Sequence, residues 1–107
     1  MTLDQRQWLK GSLDLAVVAA IGRGESYGYE ILARLAEAGL EVGDASVYGT
    51  LKRLEERGAL RSRLVASADG PARRYYERTA SGEAWFRNAR IRWRRWSASV
   101  EALMEER

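Results

Sequence analysis

Two side chains that carry much of protein chemistry are missing from this sequence. The 107 residues contain no Cys and no His, which excludes disulfides, thiolate nucleophiles and imidazole bases. The usual nitrogen and sulfur ligands of a metal site are missing with them. We therefore expect no metal site and no cofactor. A chain without disulfides also fits a reducing cytoplasm.

Long apolar runs are missing too. No stretch approaches the 18 or so consecutive apolar residues of a membrane span, and the N-terminus lacks the basic and then apolar order of a signal peptide. There is no Gly-rich phosphate loop and no evident carboxylate pair, and Ser46 and Ser81 have no base to activate them. These absences argue against an enzyme with catalytic residues and against membrane association. They predict a soluble, cytoplasmic protein.

Positive charge is concentrated in one part of the chain. Residues 44 to 95 hold 13 Lys or Arg against 6 Asp or Glu, a net of +7. The remainder holds 5 against 9, a net of −4. A cluster of cations on one part of a small domain indicates a polyanionic partner.

This basic region begins with a short amphipathic helix. Asp44 can accept amide hydrogens of the first turn, and Gly58 provides the left-handed residue that often ends a helix. One apolar stripe lies between them: Val47, Leu51 and Leu54. The opposite face is small and then cationic: Ala45, Ser46, Gly49, Lys52 and Arg53. An ordinary surface helix is the alternative, but a helix in a DNA major groove requires this profile.

Two strands follow the helix. Leu60 to Ala66 alternates, with Leu60, Leu64 and Ala66 on one side. Residues 67 to 71 form a turn by composition, and Arg73 to Arg78 returns as the second strand. A candidate recognition helix followed by a hairpin with basic residues near its tip is the layout of a winged helix-turn-helix.

The segments before the recognition helix are also helical. Apolar residues repeat at three and four positions from Thr2 to about Ile21, and Gly11 can interrupt this segment. Ser26 can cap a second helix, which Gly39 closes. Residues 40 to 43 are then the turn of the helix-turn-helix.

The last helix carries an apolar seam. After a Thr79 cap, its apolar residues are spaced 3, 4, 3, 4 and 3, the a and d pattern of a coiled coil: Phe86, Ala89, Trp93, Trp96, Val100 and Leu103. One copy of so small a domain has little left to cover this stripe. The seam predicts a two-fold homodimer. The alternative is a helix packed back on its own domain, as Trp85 and Phe86 are expected to be.

Five segments carry motifs in a fixed order: GSLDL at 11–15, YGYEI at 27–31, SVYGTLKRLE at 46–55, GPARRYY at 70–76 and TASG at 79–82. Together they resemble the PadR-type transcriptional regulators, from about Gly11 to beyond Thr79. The chain departs from the family where Gly49 replaces a frequent Pro, Ala72 a frequent Arg and Arg78 a usual Leu. These departures concern the DNA sequence preference rather than the fold.

The resemblance implies an α+β, mainly α fold, a winged helix-turn-helix with a C-terminal dimerisation helix. Residues 1–79 would form the DNA-binding domain and residues 80–107 the dimerisation helix. The implied function is transcriptional regulation, usually repression. Two recognition helices related by a two-fold predict an inverted-repeat operator in double-stranded DNA.

DNA contacts are expected from three places. Candidates for the groove are Ser46, Tyr48, Gly49 and Lys52. Candidates for the phosphate backbone are Arg53, Arg73 and Arg74, together with Tyr27 at the start of the second helix. For Tyr27 a role in packing is the alternative.

Three tryptophans predict an effector pocket: Trp8, Trp93 and Trp96. Indoles repeated across a two-fold leave gaps that flat apolar molecules can fill. The chain is similar to family members with short C-terminal helices, the multidrug-sensing type, whose dimer cleft admits planar aromatic compounds that weaken operator binding. The alternative is that the indoles only fill the interface.

A protein-interaction module is the competing function class. A winged helix used only to assemble a larger complex would explain the seam and the core. It would not explain the basic helix and wing, so the sequence favours a DNA-binding regulator.

Overall fold

Within residues 11–105, the chain forms four helices and a small antiparallel sheet. The structure is a computed structural model and describes residues 11–105. Its elements in chain order are α1 (Ser12–Ile21), β1 (Ser26–Tyr27), α2 (Gly28–Glu37), α3 (Asp44–Glu56), β2 (Leu60–Ser67), β3 (Gly70–Arg78) and α4 (Ala80–Met104). The mainly helical α+β class predicted from the sequence is confirmed. Within residues 11–105, no helix is long and apolar enough to cross a membrane.

The core lies between α1, α2, α3 and the sheet. Each contributes fully buried aliphatic side chains: Val17, Val18, Ile31, Val47, Leu51 and Leu60. The predicted stripe of α3 is confirmed, because Val47 and Leu51 are 0% exposed and Leu54 is 4% exposed. Burying each such side chain contributes about 1.5–3 kcal/mol to folding. These contacts fix α3 with its opposite face outward.

The ends of α3 differ in part from the prediction. Gly43, not Asp44, occupies the N-cap, and its carbonyl accepts from the amides of Ser46 and Val47 at 3.1 and 3.2 Å. Asp44 is the first helical residue, where a carboxylate still favours the positive end of the helix. Gly58 has φ 80° and ends the helix as predicted.

The start of α2 also differs. Ser26 lies in β1 and donates to the Ile21 carbonyl at 2.9 Å, so it does not cap α2. The N-cap is Tyr27, whose amide donates to Glu30 Oε1 at 3.1 Å. Gly39 has φ 87° and closes this end of the helix-turn-helix as predicted.

Strands β1, β2 and β3 form an antiparallel sheet in the order β1-β3-β2. The strands of the wing are longer than predicted, since β2 reaches Ser67 and β3 begins at Gly70, which leaves a two-residue turn. Leu60 is buried but Leu64, predicted on the same inner side, is 60% exposed. The hairpin therefore extends beyond the core, and its tip stands free of the helices.

The start of α4 is held against the end of α3. The Gly82 amide donates to Thr79 Oγ1 at 3.0 Å, so the predicted Thr79 cap is confirmed. The same hydroxyl donates to the Gly58 carbonyl at 2.6 Å. Hydrogen bonds through Thr79 therefore join the end of α3 to the start of α4.

The rest of α4 projects from the domain. Its 25 residues span about 37 Å at 1.5 Å per residue. The radius of gyration is 15.5 Å, above the roughly 13 Å of a compact chain of this length. Trp85 and Phe86 pack against the core as expected, whereas Trp96 is 60% and Leu103 81% exposed.

Candidate nucleic-acid interface

One ridge of α3 faces away from the protein. Its residues recur at four and three positions and are all exposed: Ala45, Gly49, Lys52 and Glu56. A Cβ added at Gly49 would meet nothing within 4 Å. The ridge is therefore low at its N-terminal end, and a flat surface could approach the helix backbone there.

The two flanks of α3 are tied to neighbouring helices. On one flank, Tyr48 lies over Gly28 so closely that a Cβ at Gly28 would be 2.6 Å from the ring. On the other flank, Arg53 forms an ion pair with Asp14 of α1. Ser46 is exposed, and its carbonyl accepts from Thr50 Oγ1 at 2.8 Å. Of the predicted groove residues, only Gly49 and Lys52 lie on the central ridge.

The wing joins the start of α2 through aromatic contacts. The guanidinium carbon of Arg73 lies 4.5 Å from the centroid of the Tyr27 ring, a cation–π distance. The Tyr27 ring is 5.4 Å from that of Tyr75. Tyr27 is half-buried in this stack, and its ring packs against the Arg73 guanidinium.

A second path links the wing to α3. Ser62 Oγ donates to Glu55 Oε2 at 2.7 Å, and Arg74 Nη1 donates to Ser62 Oγ at 3.0 Å. Arg74 thus points along the face of the hairpin that adjoins the recognition helix. The structure brings Arg73 and Arg74 to opposite faces of β3, each with a defined support.

Ion pairs neutralise half of the cations in this region. Arg53 pairs with Asp14, Arg61 with Glu77, Arg63 with Glu25 and Arg78 with Glu83. Within the described part of the chain, the cations of residues 44–79 that make no ion pair are Lys52, Arg57, Arg73 and Arg74. These four are the charges available to an external anion.

The pair at the base of the wing is bidentate. Arg63 Nε and Nη2 donate to the two carboxylate oxygens of Glu25 at 2.6 and 2.7 Å. The hydrogen bond from Arg63 holds the pKa of the Glu25 carboxyl below its ordinary value, and the same bond raises the pKa of Arg63. Both groups stay charged at neutral pH, which fixes β1 against β2 across β3.

Two surface residues were missing from the predicted site. Tyr29, in the first turn of α2, is 70% exposed and has the free aromatic surface that Tyr27 lacks. Arg57, at the C-cap of α3, is one of the four available cations. Spacing could have identified Arg57, because it follows Lys52 and Arg53 by about one turn. No sequence signal separates Tyr29 from Tyr27.

The structure describes two of the three predicted effector residues, Trp93 and Trp96. The Trp93 and Trp96 rings lie 6.4 Å apart with 30° between their planes. Trp8 falls outside the described residues. Trp93, but not Trp96, also lines an apolar groove of about 400 Å³ between α1, the helix-turn-helix turn and α4, together with Leu13, Ala16, Leu40, Val42 and Phe86. No sequence pattern predicted this wall of α1 and turn residues.

The sequence and the fold can be compared with those of known proteins. The model of the transcriptional regulator PadR-like family matches residues 17–88. The chain belongs to this family. The fold of this chain is similar to that of a PadR-like transcriptional regulator from Bacillus cereus. The two sequences are 31% identical, and the TM-score is 0.83 over 94% of this chain and 99% of that one. The resemblance stated from the motifs is thereby confirmed.

Other solved structures agree on the fold. A Streptococcus transcriptional regulator is 34% identical, with a TM-score of 0.81, and the match covers 92% of this chain and 98% of that one. Bacillus subtilis PadR in complex with operator DNA is 23% identical, with a TM-score of 0.68 over 73% of this chain and 46% of that one. These matches establish a PadR-like winged helix with a C-terminal helix.

Proposed function

We propose that this PadR-like regulator is a homodimeric repressor that binds an inverted-repeat operator and is released by planar aromatic compounds. The observation that supports DNA binding best is the ridge of α3, which is bare at Ala45 and Gly49 and has unpaired cations beside it. Lys52 and Arg57 lie on α3, and Arg73 and Arg74 on the wing. Small residues admit the helix to a major groove, and flanking cations neutralise phosphates.

The wing supports the same proposal. Arg73 and Arg74 each rest on a defined neighbour, the Tyr27 ring and Ser62 Oγ. Cations held in place lose less freedom on binding phosphate than unsupported ones. The related B. subtilis PadR was solved with operator DNA, and the proposal extends that partner to this chain.

Homodimerisation is supported by the exposed part of α4. Trp93, Trp96 and Leu103 are 46%, 60% and 81% exposed in one copy. Apolar side chains in one long stripe on a projecting helix favour a partner helix. A second copy related by a two-fold would present two α3 ridges on one side of the assembly.

Footprinting tests whether the chain binds DNA as a dimer on two half-sites. Hydroxyl-radical cleavage of the duplex upstream of the chain's own gene should show two protected patches roughly 34 Å apart on one face, centred on an inverted repeat. A single patch, or protection that ignores the repeat, would contradict the two-fold arrangement. If the duplex is not protected and the chain instead binds another protein with an affinity that does not depend on salt, the interaction module would be favoured.

The effector is the finer part of the proposal. It is supported by the Trp93 and Trp96 rings, which are exposed and 6.4 Å apart, and by the apolar groove beside Trp93. Flat aromatic molecules bind between aromatic faces in sites of this kind. Such a ligand would release DNA only by favouring one spacing of the two α3 helices over another.

Tryptophan fluorescence tests the pocket. Titration with a set of planar aromatic dyes should quench the emission and lower the affinity for the upstream duplex. Trp96→Phe should reduce the quenching, whereas Trp85→Phe, at a position packed on the core, should not. Unquenched emission with every dye, or equal effects of the two substitutions, would contradict the predicted site.

A further inference from the structure

The C-terminal end of α1 is a junction that the proposed DNA contacts do not use. The last four carbonyl groups of a helix have no partner within it, and in α1 these belong to residues 18–21. Two of them find local donors, since the Gly22 amide donates to Ala19 at 3.1 Å and Ser26 Oγ to Ile21 at 2.9 Å. The other two are reached by arginines from other elements.

Those arginines come from the two DNA-facing parts of the fold. Arg34 of α2 donates to the Ala20 carbonyl at 2.8 Å. Arg78, the last residue of β3, donates to the Val18 carbonyl from Nη2 at 2.9 Å and from Nε at 3.3 Å. Cations at a helix C-terminus are favoured by the helix dipole. The end of α1 therefore anchors both the helix-turn-helix and the wing.

Arg78 is the more completely enclosed of the two. Its side chain is 8% exposed. Nη1 donates to Glu83 Oε2 at 3.2 Å, and the guanidinium carbon lies 4.0 Å from the centroid of the Phe86 ring. The guanidinium of Arg78 thus contacts α1 through hydrogen bonds to the Val18 carbonyl. It contacts α4 through its ion pair with Glu83 and through its face, which packs on the Phe86 ring.

A buried guanidinium is costly to keep unless its donors are paired in good geometry. The planar fork of Arg fixes its partners in direction as well as in distance. The wing leaves this point along β3, and Arg74 is four residues away, about 13 Å at 3.3–3.4 Å per residue. A small rotation at Arg78 is therefore a large displacement at the cations of the wing.

We propose that Arg78 is the positioning residue of the wing: by holding the base of β3 against the Val18 carbonyl, Glu83 and Phe86, it sets the angle at which Arg73 and Arg74 meet the phosphate backbone. Arg78 itself does not touch DNA. This inference rests on the proposed function, because it concerns how the wing is placed on a duplex.

Arg78→Met tests the inference, since Met keeps an unbranched apolar stem and removes the fork. Arg87→Met is the matched control: it makes the same charge change at an exposed position on α4 that forms no ion pair within residues 11–105. In duplex titrations, the salt slope is the magnitude of the change in the logarithm of the binding constant with the logarithm of the salt concentration. Arg78→Met should lower this salt slope by about 2, one for each displaced wing arginine. Arg87→Met should leave the slope unchanged. Equal slopes for Arg78→Met and the native chain would overturn the inference.

A second measurement separates positioning from general weakening. Arg74→Ala should reduce the salt slope by about 1 in the native chain and by about 0 in the Arg78→Met background. Residues more than about 10 Å apart without shared partners normally act additively. Full additivity of the two substitutions would therefore also overturn a positioning role.

The same experiments separate the two proposals from each other. If the native chain binds no duplex, the proposed function fails. If it binds and Arg78→Met binds with the same salt slope, only the inference fails.

Thermal melting shows whether Arg78→Met is folded. If it is not, Glu83→Ala carries the test, because it removes the acceptor of Arg78 Nη1 at a part-exposed residue. It should lower the slope in the same direction and be non-additive with Arg74→Ala, and an additive result would overturn the inference.

Discussion

Single glycines in two helices of this protein have opposite surroundings. A Cβ at Gly82 would lie 1.9 Å from the Ala59 carbonyl oxygen, and one at Gly49 would meet nothing within 4 Å. At Gly82 the obstacle is backbone, so the joint between α3 and α4 would have to open. The two positions therefore make a matched pair for one substitution.

We expect Gly82→Ala to destabilise the fold by about 3 kcal/mol, the cost of forcing extra volume into a packed site. Gly49→Ala should stabilise it by about 1 kcal/mol, because Ala is the better helix former. Urea unfolding of both variants measures the difference. Similar stabilities would mean that Gly82 is not held against Ala59.

The carboxyl group of Glu25 makes stability depend on pH. Arg63 holds its pKa below the ordinary value in the folded state. The stability that Glu25 contributes is therefore fully present above its unfolded pKa and is lost as pH falls through the folded pKa. We expect Glu25→Gln to melt at lower temperature than the native chain at neutral pH, and this difference to close in acid.

The control for Glu25 is Glu37→Gln. Glu37 is exposed at the end of α2 and forms no ion pair with any described residue. Its melting curve should follow that of the native chain throughout. A Glu25→Gln difference that persists unchanged below the pKa of Glu25 would contradict the ion pair as its source.

Some of these residues could be predicted from the sequence and some could not. Val47 and Leu51 were predicted to be buried because local spacing defines one face of a helix. The partner of Arg53 could not be predicted, because Asp14 lies 39 positions away and only the packing of α1 on α3 brings them together. Contacts of this range depend on tertiary structure that no single motif encodes.

At the scale of elements, the wing is the clearest test of the proposed interface. We expect Arg73→Ala and Arg74→Ala each to weaken binding to every duplex by a similar factor and to lower the salt slope by about 1, because each removes a proposed phosphate contact. Arg61→Ala serves as the control, since Arg61 is already paired with Glu77 at 2.5 Å. Anisotropy titrations at several salt concentrations provide the slopes.

If Arg61→Ala changed the slope as much as the wing-tip substitutions, the distinction between paired and available cations would be wrong. If none of the three changed it, the wing would have no part in phosphate binding.

The seam of α4 leads to a prediction about assembly. Leu103 is 81% exposed in one copy, so Leu103→Lys should leave the fold of the chain intact. It should nevertheless dissociate the proposed homodimer, because a cation would have to enter an apolar seam. Sedimentation velocity measures the oligomeric state.

Ala102→Lys is the control for the seam, with the same cation one residue earlier and on another face of the helix. It should sediment as the native chain does. Equal dissociation by both substitutions, or by neither, would contradict the coiled-coil seam.

The ends of elements were harder to predict than their existence. The spacing of apolar residues predicted α3, but Gly43 took the cap position expected for Asp44, because the chain enters the helix one residue earlier. The hairpin was predicted, yet Leu64 is exposed because the strands run past the core. Alternation identifies the two faces of a strand but not where the neighbouring helices stop.

On the scale of the whole molecule, two joints connect the parts. Thr79 and Gly82 tie the start of α4 to the end of α3. Arg78 ties the base of the wing to α1 and α4. In the proposed homodimer, the geometry of the α4 seam would therefore set the spacing of both recognition helices. An effector bound beside Trp93 would act on that spacing.

The uneven charge of the chain belongs to the same scale. The net of +7 over residues 44–95 covers α3, the wing and the first half of α4, and it predicts binding that weakens steeply with salt. Nonspecific attraction would follow from charge alone. In the proposed function, selectivity would come from contacts of the α3 ridge with the bases of the major groove.

The most direct test of the central proposal is therefore a fluorescence-anisotropy titration of the protein against the duplex from its own upstream region and a shuffled duplex, each at two salt concentrations. We expect tighter binding to the upstream duplex than to the shuffled one, with both affinities falling as salt rises. Absence of binding to either duplex at low salt would contradict a DNA-reading function.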